Sequence, residues 1–353
     1  MNDMTHRITL KHIAEAAGVT AATVSMALRN SPRISMGVRE RVRRLATEMN
    51  YQPDPLIAAL AGRRGGRGSR NGKPAAEIGT IAYVTAFAKR EGWRCNRFSP
   101  AVFAGACERA AQQGYRVEHF WLREPGMTAR RLSEILRSRG IRGVCVAPLP
   151  EGFGHMRLRW EWFSCAAVGY SMIRPSLHRA CPHQFQGMMH TLKTLRRQGF
   201  RRIGVAMEKR VSRIVVHNWL AAILVFQQMH GASSVERFNY ETPDRERLSE
   251  WITEHHPDAM ICTDVALLAW ARAAGGAAMG LAQLDALPGY AGLDQRPEVV
   301  GAAVIDLITG QIQRNETGIP ADPKVTMVEG RWVEGPFTAI ISPAAGAGRW
   351  RRH

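Results

Sequence analysis

The hydrophobic pattern changes character twice along this chain. Over the first 53 residues, apolar positions recur at helical spacing in three short blocks. Residues 10–17 place Ile13, Ala14 and Ala17 on one face, and Thr9 stands where a hydroxyl caps a helix start. Gly18-Val19-Thr20 then interrupts the pattern. Glycine suits the left-handed position past a helix end, and Thr20 can cap the helix that follows. The second block, 21–29, turns Val24, Ala27 and Leu28 inward and leaves Ala21, Ala22, Thr23, Ser25 and Met26 outside. Two short helices joined by a three-residue turn containing glycine make a helix-turn-helix unit, whose second helix suits the major groove of DNA. A third block, 35–49, has Val38, Val42, Leu45, Ala46 and Met49 at helical spacing and Arg39, Arg41, Arg43 and Arg44 on its other face.

Residues 54–62 form a fourth and shorter block. Asp54 can cap it, Pro55 fits the first helical position and Gly62 can end it. Such a segment falls below the ~12–15 residues that sustain a helix alone in water, so it is expected to fray until something packs on it. Residues 63–76 follow as a Gly/Arg linker. They hold a near miss for a phosphate loop. Arg67 stands where glycine is needed, and neither Ser nor Thr follows Lys73.

From Glu77 the period shifts to alternating strands and helices. Strands are predicted at 78–84, 116–122, 143–147, 164–169, 202–206, 259–263 and 280–284. Helices are predicted at 101–113, 129–139, 186–197, 219–230 and 245–254, several of them closed by glycine. This order predicts parallel sheets with crossover helices on both faces, two of them in a chain this long.

The stretch ITLKHIAEAAGVTAATVSMALRNSPRISMGVRERVRRLATEMNYQPDPLIAAL resembles, almost position for position, the head of the lactose/galactose-repressor family of bacterial transcription regulators. Weaker likenesses continue in RRQGFRRIGVAM, PDAMICTD, LAQLDAL and AGLDQRPEVVGAAVIDLITGQI, so that the resemblance covers about 8–340. It implies a helix-turn-helix head (1–53), a hinge helix (54–62), the linker (63–76) and a two-lobed α/β sensor (77–340) with the fold of periplasmic sugar-binding proteins. A tail (341–353) is expected to be disordered. It also implies a homodimer on palindromic operator DNA, controlled by a small polar effector such as a sugar. The DNA contacts it implies are Thr9, Thr20, Ala21, Ala22, Thr23, Ser25, Met26 and Asn30. Leu60 matches the hinge leucine that wedges between base pairs in the minor groove. Two positions depart from the family: Met26 where an arginine is usual, and Asp54 where asparagine is usual. Without that arginine a bidentate guanine contact, worth ~1–3 kcal/mol of discrimination, is missing, and the operator sequence does not carry over.

In open α/β sheets ligands bind at the carboxyl ends of strands. Asp264 and Asp285 end predicted strands, and Arg213 lies in a loop after one. Each matches a family position that hydrogen-bonds the effector, and Gln295 matches more weakly. Phe87 and Trp219 add aromatic faces that suit a polar ring. The other readings stay open: an Asp at a strand end also caps helices, and a lone Trp is also a core residue. His183 stands where the family has an acid, and 273–280 is shorter than in relatives.

Composition adds limits. With 353 residues and 45% hydrophobic content the chain is long enough for two or three cores. Of the net charge of +18, residues 1–62 carry +3 and 63–74 carry +5. A basic head and linker attract phosphate and make binding salt-dependent. The remaining +10 says less, since only six of the 48 cations are lysine and codon composition produces such a bias. No apolar run spans a membrane, and MNDMTHRITLKH has no apolar core for a signal peptide, so a cytoplasmic protein is expected. The six cysteines lack a CxxC and read as reduced core thiols. His178, Cys181, His183 and His190 fit no common zinc spacing, so no metal and no cofactor is expected. The absence of a Gly-x-Ser-x-Gly elbow or dinucleotide fingerprint speaks against an enzyme. A solute-binding protein of the same two-lobed fold, or a regulator with a degenerated sensor, are the rival readings.

Overall fold

The computed structural model describes residues 10–28, 34–49, 78–285 and 290–335. The chain divides into two units, with the boundary between Ala76 and Glu77.

In the first unit, α1 (Leu10–Ala17), α2 (Ala21–Leu28) and α3 (Met36–Glu48) enclose a small core. Ile13, Ala14 and Ala17 of α1 meet Val24 and Ala27 of α2 and Val42 and Ala46 of α3. Gly18 takes a φ of +64°, the left-handed value that ends α1. Thr20 caps α2, its Oγ1 accepting from the Thr23 amide at 3.1 Å. The expected cap Thr9 and the expected contact Asn30 lie outside the described residues, as do the hinge, Leu60, the linker and the tail.

The second unit holds two α/β lobes. The first contains β1 (Gly79–Thr85), α4 (Phe98–Gln112), β2 (Tyr115–Trp121), α5 (Ala129–Ser138), β3 (Gly143–Val146), β4 (Ser164–Val168) and β5 (His178–Pro182). The second contains α6 (Gln184–Arg197), β6 (Ile203–Glu208), α7 (Lys209–Ile214), α8 (Asn218–His230), β7 (Val235–Tyr240), α9 (Arg245–His255), β8 (Ala259–Cys262), α10 (Val265–Gly275), β9 (Gly280–Gln283) and β10 (Gly292–Asp294). The chain then returns to the first lobe as α11 (Pro297–Arg314) and β11 (Val325–Val328), and ends its described part in the second as β12 (Arg331–Val333).

The first sheet runs β11-β5-β4-β3-β1-β2 with every pairing parallel. The second runs β12-β10-β9-β8-β6-β7, parallel except for β12 against β10. Strands such as β1, β3, β4 and β8 are buried on both faces, which is why they read as unbroken apolar runs. In β1, Ala82 and Val84 face one core, while Ile81 and Tyr83 face another beneath α4 and α11. These two helices cross so closely that glycine is required on both. A Cβ on Gly105 would lie 2.0 Å from the Glu298 carbonyl oxygen, and one on Gly301 would lie 2.0 Å from that of Val102.

Several expected boundaries move. The helix expected from 101 begins at Phe98, and the helix expected from 186 begins at Gln184. Arg213 lies inside α7 and not in a loop. Strand β7 was not expected, because Arg237 and Asn239 expose one face of an edge strand and Glu236 breaks the apolar pattern of the other. The thiols of Cys145, Cys165, Cys181 and Cys262 are buried, but Cys95 is exposed and Cys107 half-buried, so the six do not all belong to the core. His178 and Cys181 sit within β5, and His183 caps α6, its Nδ1 accepting from the Gln186 amide. Among the described residues no helix is long and apolar enough to cross a membrane.

Candidate functional sites

Helix α2 offers the first candidate surface. With Val24 and Ala27 committed to the core, the opposite face carries exposed Thr20, Ala21 and Ala22 beside half-buried Thr23, Ser25 and Met26. That face holds hydroxyls and methyls and no charge. Hydroxyls can donate to or accept from base edges, and methyls can meet the thymine methyl group. The Thr20 and Thr23 hydroxyls share a hydrogen bond at 2.9 Å, so part of this set orders itself. Cationic charge lies on α3, where Arg41, Arg43 and Arg44 are exposed. Arg44 pairs loosely with Glu48 at 3.7 Å, and exposed guanidiniums on this helix are of the kind that meets phosphate.

The second candidate is the cleft between the lobes. In each sheet the strand order reverses beside the first strand, between β1 and β3 and between β6 and β8. Crevices for ligands open at the carboxyl ends of strands at such points. Phe87 follows β1, while Glu208 ends β6 and Asp264 follows β8. Phe87 is half-buried, and its carbonyl accepts from the Trp121 indole at 2.8 Å.

The polar residues expected here are differently engaged. Asp264 is the N-cap of α10, accepting from the Ala266 amide at 2.8 Å. Gln295 is buried, donating to the Leu284 carbonyl at 2.7 Å and accepting from Gln184 at 3.0 Å. Arg213 of the second lobe donates to Glu151 of the first, an ion pair that spans the cleft. Trp219 is only 3% exposed, packed in the second lobe's core with Met207, Val215 and Leu284. Its indole nitrogen has no hydrogen-bond partner among the described residues. Asp285 follows β9, and burial foremost raises its carboxyl to about pH 6; Arg97 of the first lobe opposes that rise, and Asp294 and Glu298 add to it.

Two residues near this cleft escaped the sequence reading, one at a strand end and one at a helix start. Tyr240 ends β7 and shares a hydrogen bond with Thr263 at 3.3 Å, next to Glu208 and Asp264. Burial pushes its phenol up to about 12, so it stays a neutral donor. Recognising β7 as a strand would have placed Tyr240 at its carboxyl end. Arg97, just before α4, had no signal short of the fold itself.

Residues 9–54 match the family model described as bacterial regulatory proteins, lacI family. The HTH-type transcriptional regulator MalR of Staphylococcus xylosus is 44% identical over 54 residues, 15% of this chain and 16% of its own length. The match thus spans about a sixth of that relative. Among solved structures, the transcriptional regulator CelR in complex with cellobiose is 18% identical, with a TM-score of 0.51 over 93% of this chain and 99% of its own. The lac repressor dimer bound to operator and the anti-inducer ONPF is 16% identical, with a TM-score of 0.52 over 94% and 99%. These two likenesses establish the two-lobed fold.

Proposed function

Because its head, residues 9–54, belongs to the lacI family of bacterial regulatory proteins and stands before a two-lobed α/β unit, we propose that this chain is a sequence-specific transcriptional regulator. It is a repressor that binds a palindromic operator as a homodimer and responds to a small polar effector such as a sugar. The observation that carries this reading is the family match over the head, whose α2 presents Thr20, Ala21, Ala22, Thr23, Ser25 and Met26. Cellobiose and operator DNA in the two similar structures support the two kinds of partner. The protein works in the cytoplasm, where the operator is, and performs no catalysis.

Homodimerisation is further supported by α8. Leu224, Val225 and Met229 follow one another around one side of this helix and are 52%, 42% and 58% exposed. Large apolar side chains grouped in solvent favour a surface that another protein covers.

In the cleft, Asp285, Asp264, Arg213 and Gln295 supply polar contacts to the effector and Phe87 and Trp219 supply apolar faces. For Arg213 this requires the lobes to part from the arrangement described above, since Glu151 of the first lobe holds it, and for Trp219 it requires a rearrangement within the second lobe's own core. The Arg213–Glu151 pair also favours a second reading, in which the chain's own carboxylate takes the effector's place and DNA binding is constitutive.

Selection of bound duplexes from a random DNA pool, with and without a metabolite mixture, tests the proposal. A palindrome recovered only without metabolites supports an inducible repressor. A palindrome recovered identically in both supports the constitutive reading. Recovery of no sequence preference sinks both. Met26→Arg restores the side chain usual in the family, and its selected palindrome should gain a guanine in each half-site.

A further inference from the structure

We propose that the groove between α6 and α8 on the second lobe binds a small, multiply charged anion of phosphate chemistry, at a site separate from the inter-lobe cleft. The groove encloses about 730 Å³, within the ~300–1,000 Å³ of small-molecule sites. Its walls include Lys193, Arg196 and Arg197 of α6, Arg201 just before β6, His230 of α8, and Glu329. Because Arg201 precedes β6, that end of the groove lies at the amino ends of the strands. The effector cleft lies at their carboxyl ends.

The charge balance is what singles this groove out. Several arginines of the unit are matched to carboxylates, Arg109 to Asp306, Arg139 to Glu118, Arg210 to Glu208 and Arg314 to Glu316, each at 2.7 Å. Others, such as Arg157 and Arg174, make no ion pair among the described residues; the groove gathers four such cations. No ion pair joins Lys193, Arg196, Arg197 or Arg201 to a carboxylate among the described residues. Glu329 is the one acid lining the groove against these four cations. Their hydrogen bonds orient them without neutralising them. Arg197 donates to the Thr194 hydroxyl at 3.0 Å, and Arg201 donates to the carbonyls of Arg196 and Phe200 at 2.9 and 3.1 Å.

A solvated basic helix end explains only part of this. Arg196 and Arg197 occupy the last turn of α6, where the helix dipole favours cations. Lys193 lies three and four residues before them, so all three crowd one side of the helix, and like charges at that spacing repel. The repulsion also reaches across the groove. The His230 ring packs tilted against Phe226 at 4.4 Å, and burial, then Arg196 and Lys193, hold its imidazole below its ordinary range. Four cations converging on a concave surface against one lining acid fit an anion with several oxygens. The planar guanidinium forks of Arg196 and Arg197 suit phosphate oxygens pairwise.

The test is calorimetric titration of the full chain with inorganic tripolyphosphate at constant ionic strength. Saturable binding at one site per chain is expected. Lys193→Gln and Arg196→Gln, exposed or half-exposed changes that keep the helix, should each weaken it about tenfold or more, the scale of a charge-assisted hydrogen bond. Arg130→Gln with Arg131→Gln, two cations removed from α5, should leave binding unchanged, as should Asp285→Asn in the cleft. Absence of saturable heat overturns the proposal, as does an equal loss in the α5 variant, which would mean diffuse charge. Removing a carboxylate would strengthen an anion bound beside it, so a gain in Asp285→Asn would place the anion in the cleft and overturn it too. Parallel loss of random-duplex affinity in Lys193→Gln, with duplex displacing tripolyphosphate, would make the groove a nucleic-acid surface instead.

Discussion

The head and the two-lobed unit keep their likeness to relatives in opposite ways. Over 54 residues the head is 44% identical to MalR, whereas the two-lobed unit shares its fold with structures to which the chain is only 16–18% identical. The difference follows from what each must fit. A head of three short helices has few core positions, and a reading helix must fit a major groove of much the same width in every operator. Ile13, Val24 and Val42 leave little room for alternative packing. Each lobe needs only doubly buried strands and helices of suitable volume, which many sequences supply. What holds the lobes' geometry is a handful of local constraints, such as Gly105 against Gly301 where α4 crosses α11.

The sharpest way to break this comparison is to damage one unit alone. Ile13 is fully buried in the head, so Ile13→Ala should destabilise the head by about 2–5 kcal/mol. Operator binding should vanish while the melting of the two-lobed unit stays in place. A common shift of both transitions in calorimetry would show that the two units are one cooperative body.

The hinge gives the next largest effect. If Leu60 wedges into the minor groove, Leu60→Ala should weaken operator binding by a few kcal/mol, the scale of the unstacking exchange. Random-sequence DNA, held through phosphate, should be bound as before. Equal losses on both DNAs at one salt concentration would reduce Leu60 to a packing residue.

Asp285 probes the cleft through pH. Its folded pKa stands near 6, above an ordinary carboxylate. The neutral form is therefore the one the fold favours, and that contribution to stability is whole below about pH 4 and lost as pH rises through 6. Asp285→Asn should accordingly gain on the wild type by on the order of 2–3 kcal/mol between pH 4 and pH 8. Denaturant unfolding at both pH values measures it. A constant difference would mean the carboxyl is better hydrated than its burial implies.

Glu151→Gln should matter least to stability. Both partners of the pair with Arg213 are about half exposed, so its loss should cost less than about 1 kcal/mol. Its informative readout is effector response. If Glu151 stands in for an effector group, the variant should respond at lower effector concentration, and an unchanged midpoint would make the pair incidental.

How much of this was legible depends on whether the signal was local. Helices α1 to α3 could be read within one residue or two because caps, turn glycine and apolar spacing all lie within a few residues of one another. The buried strands β1, β3, β4 and β8 were legible for the same reason. Strand β5 was not, since HRACP combines a His, an Arg and a Pro that argue against a strand until its neighbours β4 and β11 are known. The return of α11 to the first lobe leaves no periodic trace. In the cleft, sequence placed Asp264 and Asp285 at strand ends but could not separate cap from ligand. The structure makes Asp264 a cap, while Asp285 keeps an unusual carboxyl facing Arg97 of the opposite lobe.

The threefold passage of the chain between the lobes also sets a timetable for synthesis. The first lobe has five of its strands once residue 182 is made, but α11 and β11, which cover Ile81, Cys145 and Ala166, arrive only at 297–328. At about 5–20 residues per second a ribosome needs roughly 7–30 s for that interval. Throughout it, one face of the first sheet is covered by α4 alone while the whole second lobe emerges beside it. A nascent chain is thus a client for holding chaperones for about two-fifths of its production, and a ribosome stalled within the second lobe leaves two unfinished cores, not one finished lobe. Protease digestion of chains arrested at residue 296 and released at full length would expose the difference in β1 and β3.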